Sequence, residues 1–536
     1  MVRAGGQNGP ALECHEDESE GSSHALARNA AVVSGATLLS RLLGFARDCL
    51  IAAVLGAGPL ADAFFIALRL PNLMRRLFGE GSLSLALISE FAYLRGQRGL
   101  SAAYAMVRAC LFWLVCLLGV LSAGAWLGAV PLTSVLAPGF GQTPALLART
   151  AELVRLCFPY AVLICATALC GGVLQAGGHF LAPALAPSIF NLCLIAGAGV
   201  AWLSGWPVPE TLAAALLIAG VLQFALQQPF LWRQGFRWRG PWSPLDSGAR
   251  RVGTQMLPAV FGAAVYQLSV VLTTMLASFL PQGSISHLYY ADRLVQFPLG
   301  VFGIAVGTAA LPALAALAAK GDSVEFCHTL CRSLRLTLFI SLPAAAGLAG
   351  MALPVVTVLF GRGAFGGADV LATTCALWGY APGLPAFAAV RPLLAAFHSL
   401  RDARTPVVAA IVGLVVTLGS GAVLMWSLGP AGLALAVSAG SWANVLTLHY
   451  LLGRREPRYV AEMRSEMRWV WRYALLSAAV LGGAWACAVY WVGLAALAGI
   501  PLIIVAYWGG AMMIGSPDIQ LLLAVRRKRG RSQDRS

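Results

Sequence analysis

The sequence predicts an all-α polytopic membrane protein of about fourteen transmembrane helices. Three observations predict it. Apolar stretches long enough to span a bilayer, about 20 residues each, recur along the 536 residues with only short breaks between them. Charged residues make up 11% of the chain and the mean hydropathy is +0.77, whereas soluble globular proteins carry about 25% charged residues. The basic residues fall mainly in alternate intervals between the apolar stretches, the asymmetry expected of a membrane protein with its positive loops inside.

Taken in order, residues 1–28 are polar and carry Glu16, Asp17, Glu18 and Glu20 without the apolar core of a signal peptide. They read as a disordered cytoplasmic extension or as an over-long gene start. Six spans are then expected at 31–54, 62–93, 102–131, 150–177, 180–203 and 210–232. A basic loop at 233–251 holds Arg233, Arg237, Arg239, Arg250 and Arg251. Six more spans are expected at 252–280, 285–318, 333–360, 370–398, 405–427 and 431–452. A second basic loop at 454–472 holds six arginines, two last spans cover 473–493 and 498–523, and residues 524–536 form a basic tail.

An even number of spans puts both termini on one side. Of the 37 Lys and Arg, 26 then fall on the terminal side, two (Arg149 and Arg362) on the other, and nine within spans. That split predicts cytoplasmic termini, and it accounts for the net charge of +15 without nucleic acid as a partner. The cysteines form no disulfide framework: nine of the 12, from Cys49 to Cys487, lie inside apolar runs as structural thiols. Cys327 and Cys331 lack the neighbours of a zinc site.

A weak internal repeat appears on shifting the chain by 224 residues. Ala67, Arg69, Leu70, Phe78, Gly79, Ala86 and Leu87 then fall on identical residues at 291, 293, 294, 302, 303, 310 and 311, and Phe65 meets Tyr289. The shift superposes the second span on the eighth and predicts two parallel lobes with a site between them.

The nine arginines within spans are Arg41, Arg47, Arg69, Arg75, Arg76, Arg108, Arg155, Arg293 and Arg391. Arg108 and Arg155 lie near span ends and are expected to anchor by snorkelling. Each of the others costs about 2.5–3.5 kcal/mol at a helix centre. Arg69 and Arg293 lie about 12 Å deep at 1.5 Å per residue. Against these seven cations stand Asp48, Asp62, Glu80 and Asp292, so ion pairing alone leaves three positive charges over. That surplus predicts an aqueous cavity that faces an anion, and guanidinium forks suit phosphate. No nucleotide-binding loop, metal motif or nucleophile–base constellation is present in the sequence. The expectation is therefore a transporter and not an enzyme, without a cofactor, driven by membrane potential or by coupling to an unidentified ion.

Three long motifs carry a resemblance: Ser40-Arg-Leu-Leu-Gly-Phe-Ala-Arg-Asp48; Ala61-Asp-Ala-Phe-Phe65 running on to Leu70-Pro-Asn-Leu-Met-Arg-Arg-Leu-Phe-Gly-Glu-Gly81; and Tyr289-Tyr-Ala-Asp-Arg-Leu-Val-Gln-Phe-Pro298. Ala186-Pro-Ser-Ile-Phe-Asn191 and Arg401-Asp-Ala-Arg-Thr-Pro406 add shorter matches. From about residue 30 onward the chain resembles the lipid II flippase family (MurJ, also called MviN) of the multidrug/oligosaccharidyl-lipid/polysaccharide exporter superfamily. The resemblance implies two six-helix lobes, here 29–232 and 252–453, with a final helix pair at 473–523. It implies a bacterial inner-membrane protein that moves the undecaprenyl-pyrophosphate-linked peptidoglycan precursor to the outer leaflet by alternating access. It implies substrate-binding roles for Arg41, Arg47, Arg75, Arg76, Arg293 and Arg391, and cavity roles for Asp48, Asp62 and Glu80, with Asp292 adjoining Arg293. Lipid II and membrane lipids are the partners expected, together with cell-wall synthesis and division machinery. Gln296 departs from the family, which can carry Glu there. In the empty cavity Asp48, Asp62 and Glu80 are expected to pair with arginines. A flippase for another undecaprenyl-linked glycan shares this chemistry. A multidrug exporter favours cationic substrates, which an arginine-lined cavity repels, and a non-transporting scaffold leaves the buried arginines unexplained.

Overall fold

The computed structural model describes residues 13–79, 82–300, 304–490 and 494–520, and every regular element among them is helical. Glu80 lies outside the described residues, as do residues 1–12 and 521–536, which include the expected basic tail. The first lobe begins with α1 (Glu13–Leu55) and α2 (Pro59–Met74), whose proline at the first turn is pre-set for helix. Pro71 interrupts the hydrogen bonds of α2, which runs into a π-helical turn at Arg75–Gly79. There follow α3 (Ser82–Leu127), bent at Gly99, then α4 (Ala129–Leu136), α5 (Pro144–Cys157), α6 (Tyr160–Ala176), α7 (Leu181–Ser204) and α8 (Val208–Arg233). In this lobe α7 packs on α1 and α8, α6 on α3 and α8, and α5 on α2.

The second lobe comprises α9 (Ser247–Ala277), α10 (Ser284–Pro298), α11 (Ile304–Lys320), α12 (Ser323–Gly350), α13 (Ala352–Phe360), α14 (Gly367–Tyr380), α15 (Leu384–Ser399), α16 (Arg404–Leu428) and α17 (Pro430–Arg455). Here α16 and α17 form a tight hairpin, α14 packs on α17, and α15 packs on α11 and α12. The final pair, α18 (Pro457–Tyr490) and α19 (Leu494–Met513), attaches through the face that α18 lays on α12.

Every expected span overlaps a helix. Eight of the described helices are long and apolar enough to cross a membrane, and Gln267–Ala277, Ala310–Lys320 and Leu497–Met513 are shorter apolar helices. The bilayer offers backbone groups no water, so the chain satisfies them within helices.

Three expectations are corrected. Residues 13–28 continue α1 instead of standing apart without order. The basic loop expected at 454–472 is helical from Pro457 onward. Its Tyr459, Met463 and Glu466 recur at helical spacing and are buried, so its arginines decorate the outer face of a packed helix. The loop at 233–251 likewise ends early, because the Asp246 side chain accepts from the Gly248 and Ala249 amides at 2.8 and 3.0 Å and starts α9 there.

The 224-residue repeat is visible in the geometry. The π-helical turn that begins at Arg75 has a counterpart at residues 299–300. Equivalent residues also touch one another: the Phe65 and Tyr289 rings stack with centroids 3.9 Å apart, and Asp62 bonds to Ser286. Contact between equivalent residues places α2 and α10 beside a pseudo-two-fold axis between the lobes.

Candidate functional site

The site lies where α1 and α7 of the first lobe meet α10 of the second. Arg47 and Asp48, neighbours on α1, are both buried. The Arg47 Nε and Nη2 donate to Asp48 Oδ1 at 3.0 and 2.6 Å, and its Nη1 donates to Asn191 Oδ1 on α7 at 2.9 Å. Asn191 in turn donates to the Ser40 carbonyl at 2.8 Å, which fixes α7 to α1. The Asn191 oxygen thereby holds Arg47 while its nitrogen is anchored on Ser40.

Asp48 also faces the other lobe. Its Oδ2 lies 3.6 Å from Arg293 Nε on α10, and its Oδ1 accepts from the Tyr289 hydroxyl at 3.3 Å. Arg293 lies over the Tyr289 ring, 4.7 Å from its centroid, and Arg47 lies 5.3 Å from the Phe190 centroid; both are cation–π contacts. One carboxylate is shared by two arginines from two lobes, so the triad keeps a net positive charge. Arg293 retains 32% side-chain exposure, enough to meet a ligand. The expected pairing of Asp48 with arginine is present.

Asp62 differs from expectation. It is 1% exposed, and its hydrogen bonds run to two backbone amides and a serine rather than to an arginine. Its oxygens accept from the Gly283 amide at 2.6 Å, the Ser286 amide at 2.8 Å and the Ser286 hydroxyl at 2.6 Å. A carboxylate at the start of α10 satisfies amides that the helix leaves unbonded and suits its dipole. Around it the lobes are zipped. The Ala364 amide donates to the Ala53 carbonyl at 2.7 Å, and the Tyr290 hydroxyl donates to the Gly56 carbonyl at 3.2 Å. Gly56 and Gly363 both have positive φ there, and a Cβ on either would collide with the backbone of the other lobe. Asp62 is therefore part of a closure at the loop face opposite the basic loops.

Arg41 lies on α1 toward the basic face and lines a pocket of about 220 Å³ with Ser40, Gln175 and Phe180. Its guanidinium reaches Gly300 in the second lobe so closely that any Cβ there would overlap it. Arg75 and Arg76 are half-buried on the π-helical turn. Asp292 is bonded by the Gln296 side-chain amide one turn on, which gives Gln296 a positioning role that a carboxylate could fill only when protonated. Arg391 is exposed on α15, which packs on α11, α12 and α17. Arg108 and Arg155 donate to backbone carbonyls of Arg237 and Trp126 at 2.9 and 3.1 Å, as anchors do.

Sequence reasoning passed over Asn191, Ser286 and Tyr289 as site residues. Asn191 stood in a quoted motif without a role, and the 224-residue offset links Asp62 to Ser286 and Phe65 to Tyr289. Sequence reasoning also counted Arg335, two residues inside the span expected from 333, among the terminal-side charges. Arg335 is 7% exposed and donates to Asp518 at 2.9 and 3.1 Å and to Glu466 at 2.5 Å. The Tyr473 hydroxyl donates to the same Asp518 at 2.6 Å, so this cluster ties α18 and the segment after α19 to α12.

Comparison with known proteins adds three findings. Residues 51–503 match the family model described as lipid II flippase MurJ. The chain is 38% identical over 428 residues to the lipid II flippase MurJ of Burkholderia cenocepacia, covering 79% of this chain and 83% of that protein. It is 34% identical over 469 residues to a probable lipid II flippase MurJ of Vibrio cholerae, covering 82% and 87%. Among solved structures, a lipid II flippase MurJ in an inward closed conformation superposes with a TM-score of 0.77 at 24% identity, covering 90% of this chain and 98% of that one. An inward-facing multidrug resistance transporter of the MATE family and MOP superfamily follows at 0.65 and 16%, covering 81% and 99%. At those identities the two superpositions speak for the fold alone.

Proposed function

The chain belongs to the lipid II flippase MurJ family, and from that premise we propose that it carries lipid II from the inner to the outer leaflet of a bacterial inner membrane. The observation that carries the reading is the sharing of Asp48 between Arg47 and Arg293 of opposite lobes. A pyrophosphate brings about two negative charges to a triad that is one negative charge short. It displaces Asp48 from Arg293 and binds forks from both lobes at once, so loading changes the contact that joins them.

The lipid headgroup cannot cross hydrocarbon unaided, because its polar groups lose water there. The arginines replace that water with donors held in place by Asn191, Tyr289 and Phe190. Arg41, Arg75 and Arg76 attract the headgroup from the cytoplasmic side, where the basic loops lie by the charge asymmetry. The Asp62 closure holds the outer side shut in this state. Outward passage of the lobes then requires release of Asp62 from Gly283 and Ser286 and of Ala364 from Ala53. An inside-negative potential favours outward movement of an anion by about 2.3 kcal/mol per charge per 100 mV, which supplies a driving force without nucleotide hydrolysis.

The test is complementation. In a bacterium depleted of its own flippase, this protein restores lipid II on the outer leaflet, and Arg293→Ala at equal membrane abundance does not. Restoration by Arg293→Ala sinks the two-lobe site; failure of the wild-type protein despite correct insertion points to another undecaprenyl-linked glycan.

A further inference from the structure

A cavity inside the first lobe lies apart from the Asp48 cluster. The Asn191 side chain ties α7 to α1 at the Ser40 carbonyl. Beyond that tie, toward the basic face, a pocket of about 220 Å³ separates the two helices, and the last turn of α6 borders it. Its wall on the α7 side is made of ring faces: Phe180 at the start of the helix, then Pro183 and Pro187 one turn apart. Its wall on the α1 side is polar, with Thr37, Ser40 and Arg41 at helical spacing. Gln175 adds a side-chain amide from α6.

Three of these polar groups have hydrogen-bonding capacity to spare. Among the described residues, neither the Arg41 guanidinium nor the Gln175 side-chain amide makes a hydrogen bond or ion pair. The Thr37 hydroxyl donates to the Val33 carbonyl at 2.7 Å and keeps its lone pairs for a donor. The backbone adds an acceptor. Pro187 has no N–H, so the Pro183 carbonyl one turn earlier lacks its helical donor. Flat apolar faces on one side and mixed donors and acceptors on the other fit a pyranose ring, whose C–H faces lie on rings and whose edge carries hydroxyls. An acyl chain would leave Arg41 and Gln175 without partners, and a bare phosphate would have no use for the ring faces. Arg41 stands at the mouth, since the same guanidinium reaches Gly300 of the second lobe. Arg47 lies six residues further along α1, about 9 Å at 1.5 Å per residue, which a sugar bonded to a phosphate held there can span.

We propose that this pocket is a saccharide subsite of the first lobe. It seats the sugar ring next to the pyrophosphate, an N-acetylhexosamine by class, with a ring face on Phe180 and Pro183. Gln175 meets the acetamido group, because one amide can both donate to and accept from another. This inference rests on the flippase reading and adds to it residues that recognise sugar, apart from those that hold phosphate.

The test uses the purified full-length protein in lipid nanodiscs and two probes: undecaprenyl pyrophosphate carrying a single N-acetylhexosamine, and undecaprenyl pyrophosphate without sugar. Wild type is expected to bind the glycosylated probe more tightly. Gln175→Leu keeps the size and removes the amide; Ala184→Phe fills the pocket from its α7 wall. Each is expected to weaken the glycosylated probe about tenfold, as loss of buried hydrogen bonds does, and to leave the bare probe unchanged. A wild-type preference retained in either variant, or both probes weakened equally, overturns the inference and leaves the flippase reading standing. So does a wild-type protein that binds the two probes alike, whereas one that binds neither overturns both. If one variant elutes as an aggregate on gel filtration, the other decides by the same ratio.

Discussion

Replacement of Asp62 by Asn tests how the lobes are held shut. The wild-type carboxylate accepts three hydrogen bonds, from the Gly283 amide and from the amide and hydroxyl of Ser286. Asn keeps one acceptor oxygen for Ser286 but turns an NH2 toward the Gly283 amide, donor against donor. The loss comprises one charge-assisted bond, an unpaired buried N–H and the favourable contact with the helix dipole. Together these come to about 2–4 kcal/mol, which favours opening of this face about 30- to 1000-fold. Amide hydrogen exchange across residues 281–290, followed by mass spectrometry, reads that opening directly. Exchange there should accelerate by the same factor while the α16–α17 hairpin keeps its protection. Equal exchange in Asp62→Asn and wild type would refute the closure argument; a global rise in exchange would mean that the change damages the fold instead.

Three further expectations follow from other contacts. Arg335→Met leaves Glu466 and Asp518 as unpaired buried acids and should lower stability by about 3–5 kcal/mol, read as earlier thermal unfolding, whereas Arg335→Met with Glu466→Gln and Asp518→Asn recovers part of the loss. Gly300→Ala should displace the Arg41 guanidinium and reduce precursor export while thermal stability stays near wild type, and unchanged export would remove Arg41 from the entry path. Asp402, in the loop before α16, is held below the usual carboxylate range by the Thr405 amide first, then by the Thr405 hydroxyl, the Arg404 amide and Arg455. A depressed value stabilises the fold above the ordinary carboxylate range, and that contribution is lost as pH falls through the lowered one. Asp402→Asn should therefore cost about 1 kcal/mol at neutral pH, as loss of a helix cap does, and less in acid; an equal cost at both pH values would contradict this.

Much of the molecule was legible in its residues because a bilayer constrains a chain so strongly. Apolar stretches of spanning length must be helices, since lipid offers backbone groups no partner, and 26 basic residues on one side against two on the other order those helices without any knowledge of packing. The surplus of intramembrane arginines over acids likewise set the expectation of a cavity for an anion before any contact was known. The weak repeat even located the axis, because Phe65 and Tyr289 had to be equivalent before they could be seen to stack.

Composition and spacing could not say which charges meet. Asp48 and Asp62 look alike in the sequence, two acids near arginines in adjoining spans. Beside its neighbour Arg47, folding gives Asp48 Arg293, and it gives Asp62 the amides that start α10; both of these partners come from more than 200 residues away in the chain. The same holds for Arg335, whose acids arrive from α18 and from beyond α19. A helix period reports which face a residue occupies. The neighbour of that face, and so whether a carboxylate neutralises a cavity or latches two lobes, is decided by tertiary packing alone.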